Sequence, residues 1–423
     1  MSAQVVVAGG GLAGLVAGAR LAEDGADVTL FERRDTVGGR VRSRTVDGYV
    51  CDRGFQVLFP SYPAAERELD LDALDLRSFR PGATLCRPGE RSVLSDPLRD
   101  PGAFTESLFN REVSLKDKLL TLKLRRDLRG RSESDIFSGP DETIREFLRG
   151  YGFSERFVEN FVAPFYGGIT LDRSLSSSAR VFRYTFRELT RGPAAIPADG
   201  MGAITRQLRD RAESAGATVE TDREVTAVGD ELVVDGKTLT PDATVVATDP
   251  PTARDLTGVE TIPTEAEGCV TLWCSLPLER DIPGNPQDPL GSDRRLLLNA
   301  ADADPNTVVS HTAVAPDLAP DGRALLSATF LGDRAADDET LLAETRAALN
   351  AWYRRRSFDD LELVAVDRIP FAQFAQPPGV HESLPSVDAP DGDVYLAGEY
   401  TEWSSIHGAM ESGRAAARAV RGD

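Results

Sequence analysis

Lysine is nearly absent from this chain. Four residues, Lys116, Lys118, Lys123 and Lys237, are the only lysines among 48 cations. Cysteine is as scarce: Cys51, Cys86, Cys269 and Cys274 are scattered, and no C-x-x-C pair occurs. That count excludes a disulfide framework and leaves buried thiols in a reducing cytosol as the expectation, hence a cytoplasmic protein. Three histidines supply no zinc constellation, so no metal is expected. No apolar run reaches the roughly 18 residues of a membrane span. The N-terminal apolar stretch lacks a basic leader and is broken by glycines, which argues against a secretory signal.

What is abundant is acid. Asp and Glu number 68 against 48 cations, for a formal charge of −20. Phosphates would be repelled by that field, so no nucleic acid is expected as a partner. An Asp-rich, Lys-poor surface suits a protein working in high salt, where self-repulsion is screened. An arginine bias from a GC-rich genome would give a similar composition. The 423 residues have room for two domains, or for one interleaved unit with a large core.

The chain opens as a βαβ unit. Val5, Val6 and Val7 mark a short buried strand from Gln4 to Ala8. Leu12 to Glu23 follows as an Ala- and Leu-rich helix, and Asp27 to Glu32 as a second strand. Helical patterns run through 98–130, 143–150, 154–165 and 201–215. Short strands are expected at 218–220, 224–228, 231–234 and 243–247, with Asp235-Gly236 as a hairpin turn. Strands dominate 268–370, interrupted by a helix at 338–355. The pattern closes with a strand at 394–397 and a helix at 408–421.

Gly9, Gly11 and Gly14 spell G-x-G-x-x-G between strand and helix. The first glycine permits the tight turn, the second lets a pyrophosphate approach the backbone, and the third lets helix and strand pack closely. The helix N-terminus then offers free N–H groups to phosphates. Glu32 ends the second strand, where an acid binds a ribose 2′-OH. Arg33 and Arg34 would suit a 2′-phosphate, but the carboxylate of Glu32 opposes one. A second glycine pair, Gly38-Gly39, is followed by Arg40, a guanidinium clamp for a pyrophosphate. Far downstream, Gly398-Glu399 ends a strand. Gly408-Ala409-Met410 then opens a helix whose N–H groups could face an electron-rich ring.

Together these pieces resemble the flavin-dependent superfamily of amine oxidases, carotenoid (phytoene) desaturases and protoporphyrinogen oxidases. Asp52-Arg53-Gly54-Phe55-Gln56, Pro164 to Gly168 and Pro197 to Gly202 resemble it too, and the likeness covers nearly the whole chain, leaning to the desaturase branch. It implies an α/β fold: a discontinuous, glutathione-reductase-like, Rossmann-like FAD-binding domain (1–75, 195–260 and 385–423). An α+β substrate-binding domain (76–194 and 261–384) would be interleaved with it. It implies non-covalent FAD held by Gly9, Gly11, Leu12, Ala13 and Gly14 at the pyrophosphate, with Glu32 and Arg33 near the adenosine ribose. Gly38, Gly39 and Arg40 would sit by the pyrophosphate, Val225 at the adenine, and Gly54 and Phe55 near the cofactor. Gly398 and Glu399 would meet the ribityl or phosphate region. Gly408, Ala409 and Met410 would face the isoalloxazine.

Amine oxidases of this group resemble one another in a lysine near the flavin. The corresponding strand here, from Cys269, has none, and no cysteine follows Cys274 to hold a flavin covalently. The nearest thing to a second G-x-G-x-x-G is Gly200-Met201-Gly202, but it is expected to follow Pro197-Ala198-Asp199 and not a strand, and it has Thr205 at the third place. Electrons are therefore expected from an apolar organic substrate and would leave to oxygen or a quinone. Amine oxidation is the alternative, with a flavin mutase or a flavin-free prenyl-binding escort protein behind it. A catalytic residue is not assigned, since a flavin can do the electron chemistry. Tyr166, Trp403 and His407 are candidate pocket walls. Core packing serves Tyr166 equally well, a capping role His407, and a loop-aromatic role Trp403. Phe182, Tyr184 and Phe186 alternate with polar residues and are expected in the core or a tunnel wall.

One segment runs against the overall charge. Residues 111–131 hold eight cations and three acids beside an apolar stripe of Leu115, Leu119, Leu122 and Val113. Such a basic amphipathic helix can lie on an anionic lipid surface and draw an apolar substrate from it. It can equally be a solvated helix packed on the substrate domain.

Overall fold

The computed structural model describes residues 2–95, 113–229, 231–278 and 285–422. Val5, Val7 and Ala8 are fully buried, as an apolar run covered on both faces of a parallel sheet must be. Strand Gln4–Ala8 is the middle of five parallel strands, in the order 394–396, 243–246, 4–8, 27–31, 218–220. Helix α1 (Leu12–Glu23) packs beside it. Gly14 has no room for a side chain, because a Cβ there would lie 2.0 Å from the Gly9 carbonyl oxygen.

The second sheet has seven strands, in the order 362–374, 266–277, 323–331, 307–310, 296–299, 83–87, 90–94. Its pairs are antiparallel except 296–299 with 83–87. Leu341, Leu349 and Trp352 of helix Asp338–Trp352 close its core with Leu272 and Phe330. Helices build a further core from Leu124, Leu148, Phe157, Tyr166 and Phe182. They include α2 (Leu115–Leu128) and α4 (Ala179–Arg191), while α3 (Glu133–Phe137) sets Ile136 into the core of the first sheet. The last helix, α5 (Ile406–Arg421), lies against α1 so closely that a Cβ on Gly413 would stand 2.3 Å from the Ala13 carbonyl oxygen.

Phe182 and Tyr184 are buried in the core and Phe186 lines the cavity, as expected, and the three alternate along a helix, α4. At about 100° per residue, Phe182 and Phe186 share a face and Tyr184 points elsewhere. Several expectations need correction. Val113 is 5% exposed and belongs to the core with Leu124 and Leu128, not to the outer stripe. The helix expected over 98–130 is Leu115–Leu128 where described; 98–112, with Arg111 and Glu112, lie outside the described residues. Two hairpins, 43–52 and 83–94, add to the expected elements. No helix among the described residues is long and apolar enough to cross a membrane. All four cysteines are buried and free.

Candidate functional site

The two glycine loops meet. Gly9 takes φ +112°, and its N–H donates to the Phe31 carbonyl (2.8 Å), which brings the first loop against the end of the second strand. Gly38 takes φ +119° and Gly39 φ +58°. The Gly38 N–H donates to the Gly10 carbonyl at 2.7 Å. Glu32 is 4% exposed and spans both segments. Its Oε2 accepts from the Gly10 N–H (2.9 Å) and its Oε1 from the Arg34 N–H (3.0 Å). Arg40 joins Glu399 at 2.5 Å across 359 residues of chain. The three separated motifs therefore converge at the C-terminal end of the parallel strands, where open α/β sheets take their ligands.

A cavity of about 820 Å³ begins there. Gly9, Gly11, Leu12, Ala13, Glu32, Arg33, Gly38, Gly39, Arg40, Val225 and Glu399 line one end. Gly54, Phe55, Trp403 and Ala409 border it further in, and Tyr166 stands in the far part. Gly14, Gly398, Gly408, Met410 and His407 are not among the lining residues. Gly408 serves packing, since a Cβ there would lie 2.2 Å from the Trp403 carbonyl oxygen. The Gly398 N–H donates to Ser412 Oγ (2.8 Å), fixing the turn that leads to α5. Met410 is fully buried beneath the lining Ala409.

His407 stands behind the wall, 1% exposed. Its Nδ1 faces the Ala64 N–H (3.4 Å) and accepts, which leaves the proton on Nε2 to donate to Glu133 Oε2 (2.9 Å). Glu133 also accepts from Trp403 Nε1 (3.0 Å) and the Tyr184 hydroxyl (3.3 Å). Burial pushes the Glu133 carboxyl up, but these donors, with His407 foremost, outweigh it and hold it below the usual range. Glu133 escapes sequence reasoning. Its neighbours Ser132 and Asp135 form a capping box that signals a helix start, and nothing in sequence links it to residue 407.

The motif at 52–56 has a structural partner. Asp52 is 2% exposed, and its Oδ1 accepts from Ser43 Oγ (2.5 Å) and the Met201 N–H (2.9 Å). Gly200 and Gly202 carry no side chains because Asp52 and Ser43 fill that space, 2.8 and 2.7 Å from where a Cβ would be. Burial pushes the Asp52 carboxyl up to about 6. Arg53 lines the cavity, and its Nε has no hydrogen-bond partner in the protein. Open space over Gly11, where a Cβ would meet nothing within 4 Å, and this unpaired guanidinium N–H suit a bound anion between the loops.

The far part of the cavity is aromatic. Phe153, Phe157, Phe161 and Phe165 stack in one file, with centroids 5.1, 5.5 and 5.4 Å apart. Between them a widened turn at Val158–Val162 closes with the Ala163 N–H on the Val158 carbonyl. Phe157, Phe161, Phe165 and Phe186 line the cavity with Tyr166. The Tyr166 hydroxyl is buried without a partner, and burial pushes its pKa up, so it stays a neutral phenol. The four-residue spacing of the phenylalanines stands in the sequence and is the signal that could have found this wall.

Residues 12–421 match the flavin containing amine oxidoreductase family. The chain belongs to that family. The chain is 27% identical over 286 residues to phytoene dehydrogenase of Streptomyces griseus, covering 60% of this chain and 56% of that protein. It is 26% identical over 289 residues to carotenoid 3,4-desaturase of Haloarcula japonica, covering 58% and 55%. Both matches thus span just over half of the relative's length. Among solved structures, an oxidoreductase from Methanosarcina mazei shares the fold of this family member with TM-score 0.73, 17% identity and coverage of 99% and 100%. Putrescine oxidase bound to putrescine does so with TM-score 0.72, 17% identity and full coverage of both chains.

Proposed function

We propose that this chain is an FAD-dependent oxidoreductase that oxidises or desaturates an apolar small molecule. The observation that carries it is one cavity that joins the phosphate-type loops to the phenylalanine file. A wall of stacked rings, with the Tyr166 phenol kept neutral, binds flat apolar chains, and the aromatic file itself offers a charged amine no carboxylate.

The residues present fit FAD. Gly9, Gly11, Gly38 and Gly39, with the guanidinium groups of Arg40 and Arg53, would hold the pyrophosphate. Glu32 would accept from the adenosine ribose, and the Val225 backbone borders the adenine end. The absence of a cysteine after Cys274 supports non-covalent binding. The bound flavin would supply a two-electron acceptor for a substrate C–H, and oxygen or a quinone would take the electrons on. The protein's work is then to orient and to exclude water: Trp403 and Phe55 border the middle of the cavity, and the aromatic file aligns the chain. The five parallel strands fall within 1–75, 195–260 and 385–423 and the seven of the second sheet within 76–194 and 261–384, which supports the interleaved, Rossmann-like two-domain reading.

The test is anaerobic bleaching of the bound flavin by phytoene-like polyenes, protoporphyrinogen and amines in parallel. Bleaching by the polyene or protoporphyrinogen but not by amines is expected. Bleaching by amines alone would overturn the reading.

A further inference from the structure

Helix α2 has two apolar faces, and only one is covered. At about 100° per residue, Asp117, Leu120, Leu124 and Leu128 share its inner side. Asp117, Leu124 and Leu128 are buried there. Leu115, Leu119 and Leu122 lie within roughly 60° of one another on the opposite side. They are 67%, 59% and 45% exposed, and with Leu239 they are the exposed large hydrophobic residues among the described residues. Lys118 and Arg125 flank this stripe on one side, Lys116 and Lys123 on the other, and Arg126 continues it. The helix carries five cations and two acids in a chain of −20.

The helix is firmly held. Its cap residue Ser114 accepts from the Asp117 N–H (3.1 Å), and Asp117 accepts from the Ser154 N–H (2.8 Å) and Ser154 Oγ (2.7 Å). Those bonds fix which side faces outward. The same helix borders the cavity: Lys118, Thr121, Leu122 and Arg125 line it, and Leu122 belongs to both the lining and the exposed stripe.

We propose that the outer face of α2 is a docking surface for an anionic lipid bilayer, and that an apolar substrate enters the cavity from that bilayer past Leu122. The occupant follows from the chemistry. Three leucines flanked by lysines and arginines match the boundary between acyl chains and anionic headgroups. An acidic, water-facing partner would not call for the leucines, and pairing of this face with itself in a second copy would set cation against cation. The proposal rests on the apolar-substrate reading for its purpose, but the lipid contact itself can be measured without any substrate.

The probe is flotation with vesicles of phosphatidylcholine alone or mixed with phosphatidylglycerol, at several KCl concentrations. Wild type should float with the anionic vesicles and less so as salt rises. Lys116→Glu/Lys123→Glu should lower the bound fraction on the order of tenfold, and Leu115→Ser/Leu119→Ser should abolish binding while retaining bound flavin. Leu115→Trp gives a readout independent of loss, since Trp273, Trp352 and Trp403 are all buried. Its added emission should shift to the blue on anionic vesicles. No flotation of wild type at any salt, equal flotation of all variants, or an added indole emission that stays solvent-like on the vesicles would overturn the proposal. So would a dimer in light scattering that Leu115→Ser/Leu119→Ser dissolves. With substrate in detergent, Leu115→Ser/Leu119→Ser should bleach flavin at the wild-type rate. If no apolar compound bleaches flavin while vesicle binding persists, the function reading fails and the docking surface stands.

Discussion

The Gly38 N–H donates to the Gly10 carbonyl at 2.7 Å, so the two glycine loops are one object. Glu32 locks that object through the neighbouring Gly10 N–H. A ligand held by either loop is thereby held by both.

Glu32→Ala frees the Gly10 N–H and would remove the charge-assisted hydrogen bond proposed to the ribose. At roughly 1.5–3 kcal/mol for such a bond, flavin affinity should fall about 10- to 100-fold. Fluorescence titration of the apoprotein with FAD measures it, and an unchanged Kd would remove Glu32 from the site.

Asp52→Asn should raise stability near neutral pH. The folded carboxyl titrates at about 6, above its ordinary 3.8, because burial disfavours the charge. Its contribution is therefore fully present below pH 3.8 and lost as pH rises through about 6. Asparagine keeps the acceptor oxygen for Ser43 and Met201. The stability gap between variant and wild type, read from denaturant unfolding, should open from pH 4 to 6.5 and then level off, on the order of 2–3 kcal/mol. A gap that does not depend on pH would contradict the buried charge.

Glu133→Ala strands the Trp403 and His407 N–H donors. Each unsatisfied buried donor costs about 1–3 kcal/mol, and roughly 2 kcal/mol in total is expected, because Glu133 itself is partly exposed. Denaturant unfolding of the holoprotein gives the number. Since the carboxyl sits below its usual range, the deficit should shrink as pH falls and the wild-type group protonates.

Lowering KCl from 1 M to 0.1 M lengthens screening from about 3 Å to about 10 Å. With −20 net charge, repulsion among the acids should lower the melting temperature. A melting temperature flat across that range would leave the composition to codon bias.

The elements with a short period and a hard stop are legible in the sequence. Leu12–Glu23 is a helix because Ala and Leu fill it, and Gly11 and Gly25 bracket it; Thr218–Glu220 is bounded by Gly216 and the left-handed Asp222. Gly9 and Arg40 are legible because phosphate chemistry demands those residue types, and Glu399 because the family resemblance includes it. The helix α4 is not, since aromatic alternation over five residues mimics a strand. Neither is the Glu133–His407 bond, because 274 residues separate partners that only tertiary packing brings together. The 43–52 hairpin is hidden because its first strand, Ser43–Val46, carries no buried residue and so no apolar pattern.

The Arg40–Glu399 pair and the Gly413–Ala13 contact have a consequence for how the protein is made. Strand 394–396 adds to the sheet edge, and α5 closes over α1, only after some 400 residues have been synthesised. A ribosome-bound nascent chain that has already made the first glycine loop lacks the far wall of the cradle until the 359 residues from Arg40 to Glu399 follow. If these loops hold the flavin as proposed, its capture is a late event in the life of the molecule, and a chain stopped before Glu399 should emerge colourless.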